Sequence, residues 1–184
     1  MEKVTYGLIG FGNIAENRIA REGFRENRNS RLKGACDINP VRRVQAEEAG
    51  LKWYRSVDEL LSDPEIQAVI ITTTNSTHAP LAGKALNAGK HCILEKPAAV
   101  RLEDARNLER LAAEKNLSIS VDHMMKYNGY NMKAAELIRN GTLGEVNDIT
   151  LHMEFLFGAE PAEAASWRCS KPEELGGPIG DVGS

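Results

Sequence analysis

Apolar positions along this chain fall into two alternating patterns, short continuous runs and helical stripes. The runs VTYGLIGF (4–11), LKGACDI (32–38), AVIITTT (68–74), HCILEK (91–96) and LSISV (117–121) are compact and rich in branched residues, as strands buried on both faces are. Between them lie stretches with helical spacing: Ile14 to Glu26, Pro40 to Ala49, Ala79 to Asn87 with a stop at Gly89, and Leu102 to Lys115. Ser56, followed three positions later by Glu59, has the spacing of a capping box and predicts a further helix. Strands separated in this way predict βαβ units, a parallel sheet and right-handed crossovers.

After Val121 the texture changes. Tyr130 to Arg139 has helical spacing and stops at Asn140-Gly141. The run VNDITLHMEFLFG then alternates, with Ile149, Leu151, Met153, Phe155 and Phe157 on one face and Asp148, Thr150, His152 and Glu154 on the other. That is the pattern of a half-exposed strand in an antiparallel or mixed sheet. One strand cannot stabilise its own apolar face. Residues 1–122 are therefore expected to form one domain, and 123–184 the beginning of a second, α+β domain that stays incomplete.

Composition narrows the functional classes. Of 184 residues, 42% are hydrophobic and 27% charged, which is ordinary for a globular protein, and a net charge of −3 gives no general attraction to nucleic acid or an anionic membrane. No recognition-helix motif or basic stripe supports a DNA-binding regulator. No apolar stretch reaches ~20 residues and no charged-then-apolar leader follows Met1, so the expectation is a cytoplasmic protein without membrane association. Cys36, Cys92 and Cys169 are far apart and odd in number, fitting neither a disulfide framework nor a zinc cluster. No metal is expected, and Cys36 and Cys92 read as small apolar fillers of buried strands.

The first strand runs into GLIGFGNIA, which places Gly10, Gly12 and Ala15 in a G-x-G-x-x-A spacing. The first glycine permits a sharp turn, the second lets a pyrophosphate approach the backbone, and the small third residue lets helix and sheet pack closely. A helix N-terminus follows, with N–H groups for an anion. Gly10, Phe11, Gly12, Asn13 and Ile14 are the candidate cofactor-binding residues of this turn, which also has a plain structural reading. Asp37 closes the second predicted strand, where a carboxylate accepts hydrogen bonds from an adenosine ribose and repels a 2′-phosphate. It favours NAD, while Arg42 and Arg43 keep NADP open; the competing reading of Asp37 is a turn-former before Asn39-Pro40.

On GLIGFGNIA, on AVIITTTNSTH (68–78) and above all on Glu95-Lys96-Pro97, the chain resembles the Gfo/Idh/MocA family of nicotinamide-dependent oxidoreductases. Trp167-Arg168 and the terminal D-x-G match as well. The resemblance implies an α/β fold, an NAD(P)-binding Rossmann-like parallel sheet with an incomplete second α+β domain. It implies hydride transfer between NAD(P) and a secondary alcohol or carbonyl of a sugar or polyol, and a homo-oligomer built through the second domain's sheet. It places Lys96 beside the nicotinamide and the reacting oxygen, where an ammonium stabilises alkoxide charge, with Pro97 fixing the backbone through a cis bond as in relatives. Glu95 holds the turn or the cofactor end. Thr74 and Asn75 fall in the loop that packs along the dinucleotide, although Ser76 or Thr77 could instead cap the helix starting near His78.

The segment VDHMMKYNGY (121–130) departs from the family pattern, in which an arginine and a phenylalanine stand near Lys126 and Tyr127. Lys126 stays a candidate for cofactor or substrate contact, Trp167 and Arg168 for substrate contact, and His123 is assigned to packing or substrate contact rather than catalysis. Asp181 belongs to a D-x-G-x-H stretch in which relatives carry the proposed general base at the position after Ser184. The sequence thus reads as the front half of a longer enzyme, with Lys96 and Asp181 as its catalytic candidates. The competing function is a non-catalytic NAD(P)-binding or scaffold protein completed by a partner.

Overall fold

A computed structural model describes residues 3–150, 152 and 171–175. Six strands form one parallel sheet: β1 (Val4–Ile9), β2 (Ser30–Cys36), β3 (Lys52–Trp53), β4 (Ala68–Ile71), β5 (His91–Glu95) and β6 (Ile119–Asp122), in the order β3-β2-β1-β4-β5-β6. The order reverses between β1 and β4, and a crevice opens there beyond the strands' carboxyl ends. The α/β parallel sheet expected from the apolar runs is present.

The helices cover both faces. A wide helix, Ile14–Gly23, closes with an i→i+5 bond from Phe24 N to Ile19 O. It is followed by α1 (Arg42–Glu48), α2 (Val57–Leu61), α3 (Asn75–Asn87) and α4 (Leu102–Glu114). Strand alternation divides the core between them. Leu8 and Ile70 pack with Phe11, Ala15, Ala35, Ala46 and Leu51 on one side, whereas Ile9, Val69 and Ile71 pack with Leu60, Leu86, Leu94 and Leu108 on the other. Cys36 and Cys92 are buried in the second cluster, and burial pushes both thiols up to about 12, so they act as apolar fillers.

Local chemistry accounts for several boundaries. Ser56 is extended, and its hydroxyl accepts from Glu59 N at 3.1 Å, while Glu59 Oε2 accepts from Arg55 N at 2.8 Å, next to the cap rather than at the cap itself. β3 was not foreseen: two residues carry too little pattern, and its pairing with Gly34 and Ala35 depends on Gly34 having no side chain. A Cβ there would run into the Lys52 carbonyl and the Tyr54 ring. The first helix ends at Gly23 rather than Glu26, and the helix expected from Ala79 begins at Asn75.

Beyond β6 come a 3₁₀ turn, Met124–Tyr127, and α5 (Gly129–Arg139), whose Asn128 side chain accepts from Tyr130 N at 3.0 Å. No residue of α5 is buried. The strand expected over 148–157 is not found at Asp148, Ile149, Thr150 or His152; its other positions lie outside the described residues.

Asp63, in the loop after α2, ties β2 and β3 to that loop. It accepts from Lys33 Nζ at 2.8 Å and from Tyr54 Oη at 2.6 Å, and these bonds hold its carboxyl well below the usual carboxylate range. A depressed folded value means that the stabilisation is complete above the unfolded value near pH 4 and is lost as pH falls below it. Asp63→Asn is expected to cost about 2 kcal/mol at pH 7 and to flatten the dependence of stability on pH below about 4. Urea unfolding at pH 7 and in that acid range measures both; parallel curves for variant and parent would remove this role.

Candidate functional site

The crevice is a cavity of about 890 Å³ at the carboxyl ends of β1, β2 and β4. Its lining includes Gly10, Gly12, Asn13 and Ile14 from the glycine turn, Asp37, Ile38 and Arg42 from the β2–α1 connection, and Thr72 to Thr74 after β4. Three segments, each following the carboxyl end of a strand, thus meet where the strand order reverses.

Gly10 stands at φ +90°, and a Cβ there would lie 2.8 Å from Thr73 Cγ2 and 3.0 Å from the Thr72 carbonyl. The turn is pinned from both neighbouring strands: Gly10 N donates to Cys36 O at 2.9 Å, and Thr72 Oγ1 donates to Gly10 O at 2.8 Å. Gly12 has the opposite surroundings, since a Cβ there would meet nothing within 4 Å. The backbone therefore borders open space at the start of the first helix, the geometry an approaching pyrophosphate needs. The Phe11 ring is wholly buried in the core, so only its backbone belongs to the turn.

Asp37 does two things with its carboxylate. Oδ2 accepts from Phe11 N at 2.6 Å and Oδ1 accepts from Asn39 N at 2.7 Å. The second bond is the turn-forming role weighed from the sequence, and the first ties β2 to the glycine turn. A carboxylate offers about four acceptor positions, so hydroxyl groups of a ribose can still be accommodated.

The loop after β4 is organised by contacts the sequence did not reveal. Thr74 is extended at the start of α3, but its side chain caps nothing. Glu174, itself buried, reaches α3 instead: Oε2 accepts from Ser76 N at 2.7 Å and Oε1 from Ser76 Oγ at 2.5 Å, while Glu174 O accepts from Asn75 Nδ2 at 2.6 Å. Asn75 is thereby turned toward Glu174 and is absent from the cavity lining, whereas Thr74 belongs to it. His78 is fully buried between two carbonyls, with Nδ1 2.7 Å from Pro97 O and Nε2 3.1 Å from Thr73 O. It clasps the Thr73 loop to the end of β5.

Glu95 ends β5, and Lys96, half-buried, precedes Pro97 through a cis peptide bond. Lys96 N donates to Glu95 Oε2 at 3.2 Å. Neither side chain belongs to the cavity lining; they stand at the neighbouring strand's carboxyl end. Lys126 is exposed in the 3₁₀ turn. Trp167, Arg168 and Asp181 lie outside the described residues. Arg55, Ser56, Val57, Thr77, Pro80 and Leu81 also line the cavity and carried no sequence signal for it, being brought there at the start of α2 and by α3. Among the described residues no group of three His, Cys, Asp or Glu side chains could hold a metal ion, and no helix is long and apolar enough to cross a membrane.

Residues 4–123 match the model of an oxidoreductase family with an NAD-binding Rossmann fold. Over 139 residues the chain is 34% identical to 1,5-anhydro-D-fructose reductase of Ensifer adhaerens, covering 74% of this chain and 40% of the relative. An NAD-binding protein from Listeria innocua superposes with a TM-score of 0.81 at 26% identity, covering 99% of this chain and 52% of the other. Biliverdin reductase from Synechocystis sp. PCC 6803, solved with biliverdin and NADP+, superposes with a TM-score of 0.67 at 31% identity over 77% of this chain and 44% of its own. The chain spans less than half the length of the curated relatives it matches.

Proposed function

Because the chain belongs to the Gfo/Idh/MocA family of oxidoreductases with an NAD-binding Rossmann fold, we propose that its crevice holds NAD(P) and that the whole gene product moves a hydride between this cofactor and a secondary alcohol or carbonyl of a sugar or polyol. The observation that carries the proposal is the convergence of Gly10, Gly12, Asp37 and Thr72 to Thr74 on one cavity at the switch in strand order. The nicotinamide supplies the hydride chemistry. Everything else falls to side chains and backbone of this chain.

Gly10 to Ile14 would hold the pyrophosphate, through open backbone at Gly12 and the helix N-terminus behind it. Asp37 would accept from the adenosine ribose hydroxyls. Lys96 would stabilise negative charge on the reacting oxygen, with Glu95 steadying its backbone. Asn75 acts on the cofactor loop through Glu174 rather than by direct contact. Trp167, Arg168 and Asp181 remain proposed substrate-side residues on the motif match alone, and Lys126 on its retained positive charge where the family pattern has arginine, in a second domain proposed over 123–184 that follows the dinucleotide domain of 1–122. A sugar or polyol class is supported by the name of the anhydrofructose reductase.

Calorimetric titration of the 184-residue chain with NAD and NADP tests the cofactor site. Binding of NAD, tighter than NADP, is the expected result; the reverse order would assign Arg42 or Arg43 the dominant role over Asp37. Assay of the whole gene product against sugar and polyol substrates tests the chemistry. Retained cofactor binding without turnover on any of them would favour the non-catalytic binding protein instead.

A further inference from the structure

Among the described residues, the cavity lining contains one carboxylate, Asp37, and two guanidinium groups, Arg42 and Arg55. Arg55 is engaged locally: Nε donates to Glu59 Oε2 at 3.2 Å and the side chain is 88% exposed. Arg42 is held differently. Its Nη1 lies 3.6 Å from Oε2 of Glu16, a side chain from the first turn of Ile14–Gly23 that is only 13% exposed. The other oxygen of Glu16 accepts from Arg21 Nη2 at 2.7 Å. One carboxylate, mostly shielded from water, therefore sits between two cations, one of which faces the cavity.

At 3.6 Å the Glu16–Arg42 contact is an ion pair without a hydrogen bond, so the charge of Arg42 is partly offset while its guanidinium donors stay available to another acceptor. A 2′-phosphate, dianionic and rich in acceptor oxygens, is the group Arg42 would otherwise attract, through charge-assisted and bidentate bonds. A 2′-hydroxyl has no such demand. Glu16 opposes the phosphate by offsetting the charge of Arg42, the cation that faces the cavity.

We propose that Glu16 is a specificity-determining residue for the cofactor, which by holding Arg42 keeps the crevice selective for NAD over NADP. The proposal rests on placing the dinucleotide in this cavity, as above. It separates two functions of the β2–α1 connection: Asp37 accepts from the ribose, and the Glu16–Arg42 pair sets the penalty on a 2′-phosphate.

The test is titration of NAD and NADP into the chain and its Glu16→Gln, Arg42→Gln and doubly substituted forms, at low and high salt. Glu16→Gln is expected to lower the NADP dissociation constant about fivefold, the size of one partly exposed charge pair, and to leave the NAD constant unchanged. The gain is expected to disappear in the double variant and to shrink as salt screens the phosphate. An equal change for both cofactors, no change for NADP, or a gain that survives removal of Arg42 would each overturn the assignment. Failure of the parent chain to bind either dinucleotide would overturn the cavity reading itself, and the Glu16 role with it. Circular dichroism of each variant separates loss of binding from loss of fold, and the Arg42→Gln form gives an independent check: its NADP affinity should no longer respond to Glu16.

Discussion

Turnover by the whole gene product is expected to fall about 10²–10³-fold when Lys96 is replaced by alanine, the usual cost of removing a group that meets developing oxyanion charge. Affinity for NAD should change little, because Lys96 stands at the end of β5 and outside the lining of the dinucleotide cavity. That split is the informative part. A lysine that only closed the strand would affect stability and leave kcat almost untouched. Arginine at this position should recover part of the rate, since the charge is kept while its geometry changes. Steady-state kinetics with a saturating cofactor, together with NAD titration of the same variants, gives both quantities. Equal losses in cofactor affinity and kcat would move Lys96 from the reacting oxygen to the cofactor, and undiminished kcat would end its catalytic assignment.

The second large effect belongs to Gly10. Gly10→Val is expected to destabilise the domain by about 3 kcal/mol, combining left-handed backbone strain with overpacking, and to weaken dinucleotide binding by at least about tenfold. Its side chain would be forced against Thr73 and the Thr72 carbonyl, parting β1 from β4 where the crevice opens. Gly89 is the control. Its φ is +75°, but nothing lies within 4 Å of a Cβ there, so Gly89→Ala should show strain alone, about 1 kcal/mol, with cofactor affinity intact. Chemical denaturation and NAD titration of the two variants distinguish the effects; similar losses of binding in both would mean that general destabilisation, and not the crevice, explains Gly10.

How far the fold was legible depended on how local its causes are. β1, β2, β4, β5 and β6 announce themselves as short apolar runs, most complete in β4, whose four residues are all buried, and weakest at the edge strand β6, which has none buried. β3 consists of Lys52 and Trp53, and what admits it is the missing side chain of Gly34 on the neighbouring strand. The start of α3 was misplaced for a similar reason. Ser76 and Thr77 look like local caps, yet the group that satisfies this helix end comes from Glu174, 98 positions away from Ser76. No window on the sequence joins those two residues.

The candidate site divides along the same line. That Gly10, Gly12 and Asp37 meet in one crevice was legible because the glycine turn and the end of the second strand occupy fixed places in one βαβ unit. The roles of His78 as a clasp between Thr73 and Pro97, and of Glu16 as a restraint on Arg42, depend on side chains folded across one another. Such roles have no spacing rule.

The placement of Glu174 also bears on where a free anion can settle. Two helices of ten or more residues begin near the crevice, Ile14–Gly23 behind Gly12 and α3 behind Thr74. Both starts carry the partial positive charge of aligned peptide dipoles, and a phosphate meeting the fold for the first time would have two attractive destinations. The chain fills one of them with its own carboxylate, bonded to Ser76 through both oxygens. Glu174 is in this sense an internal decoy ligand: it neutralises the competing start and leaves the glycine turn as the destination with open space before it.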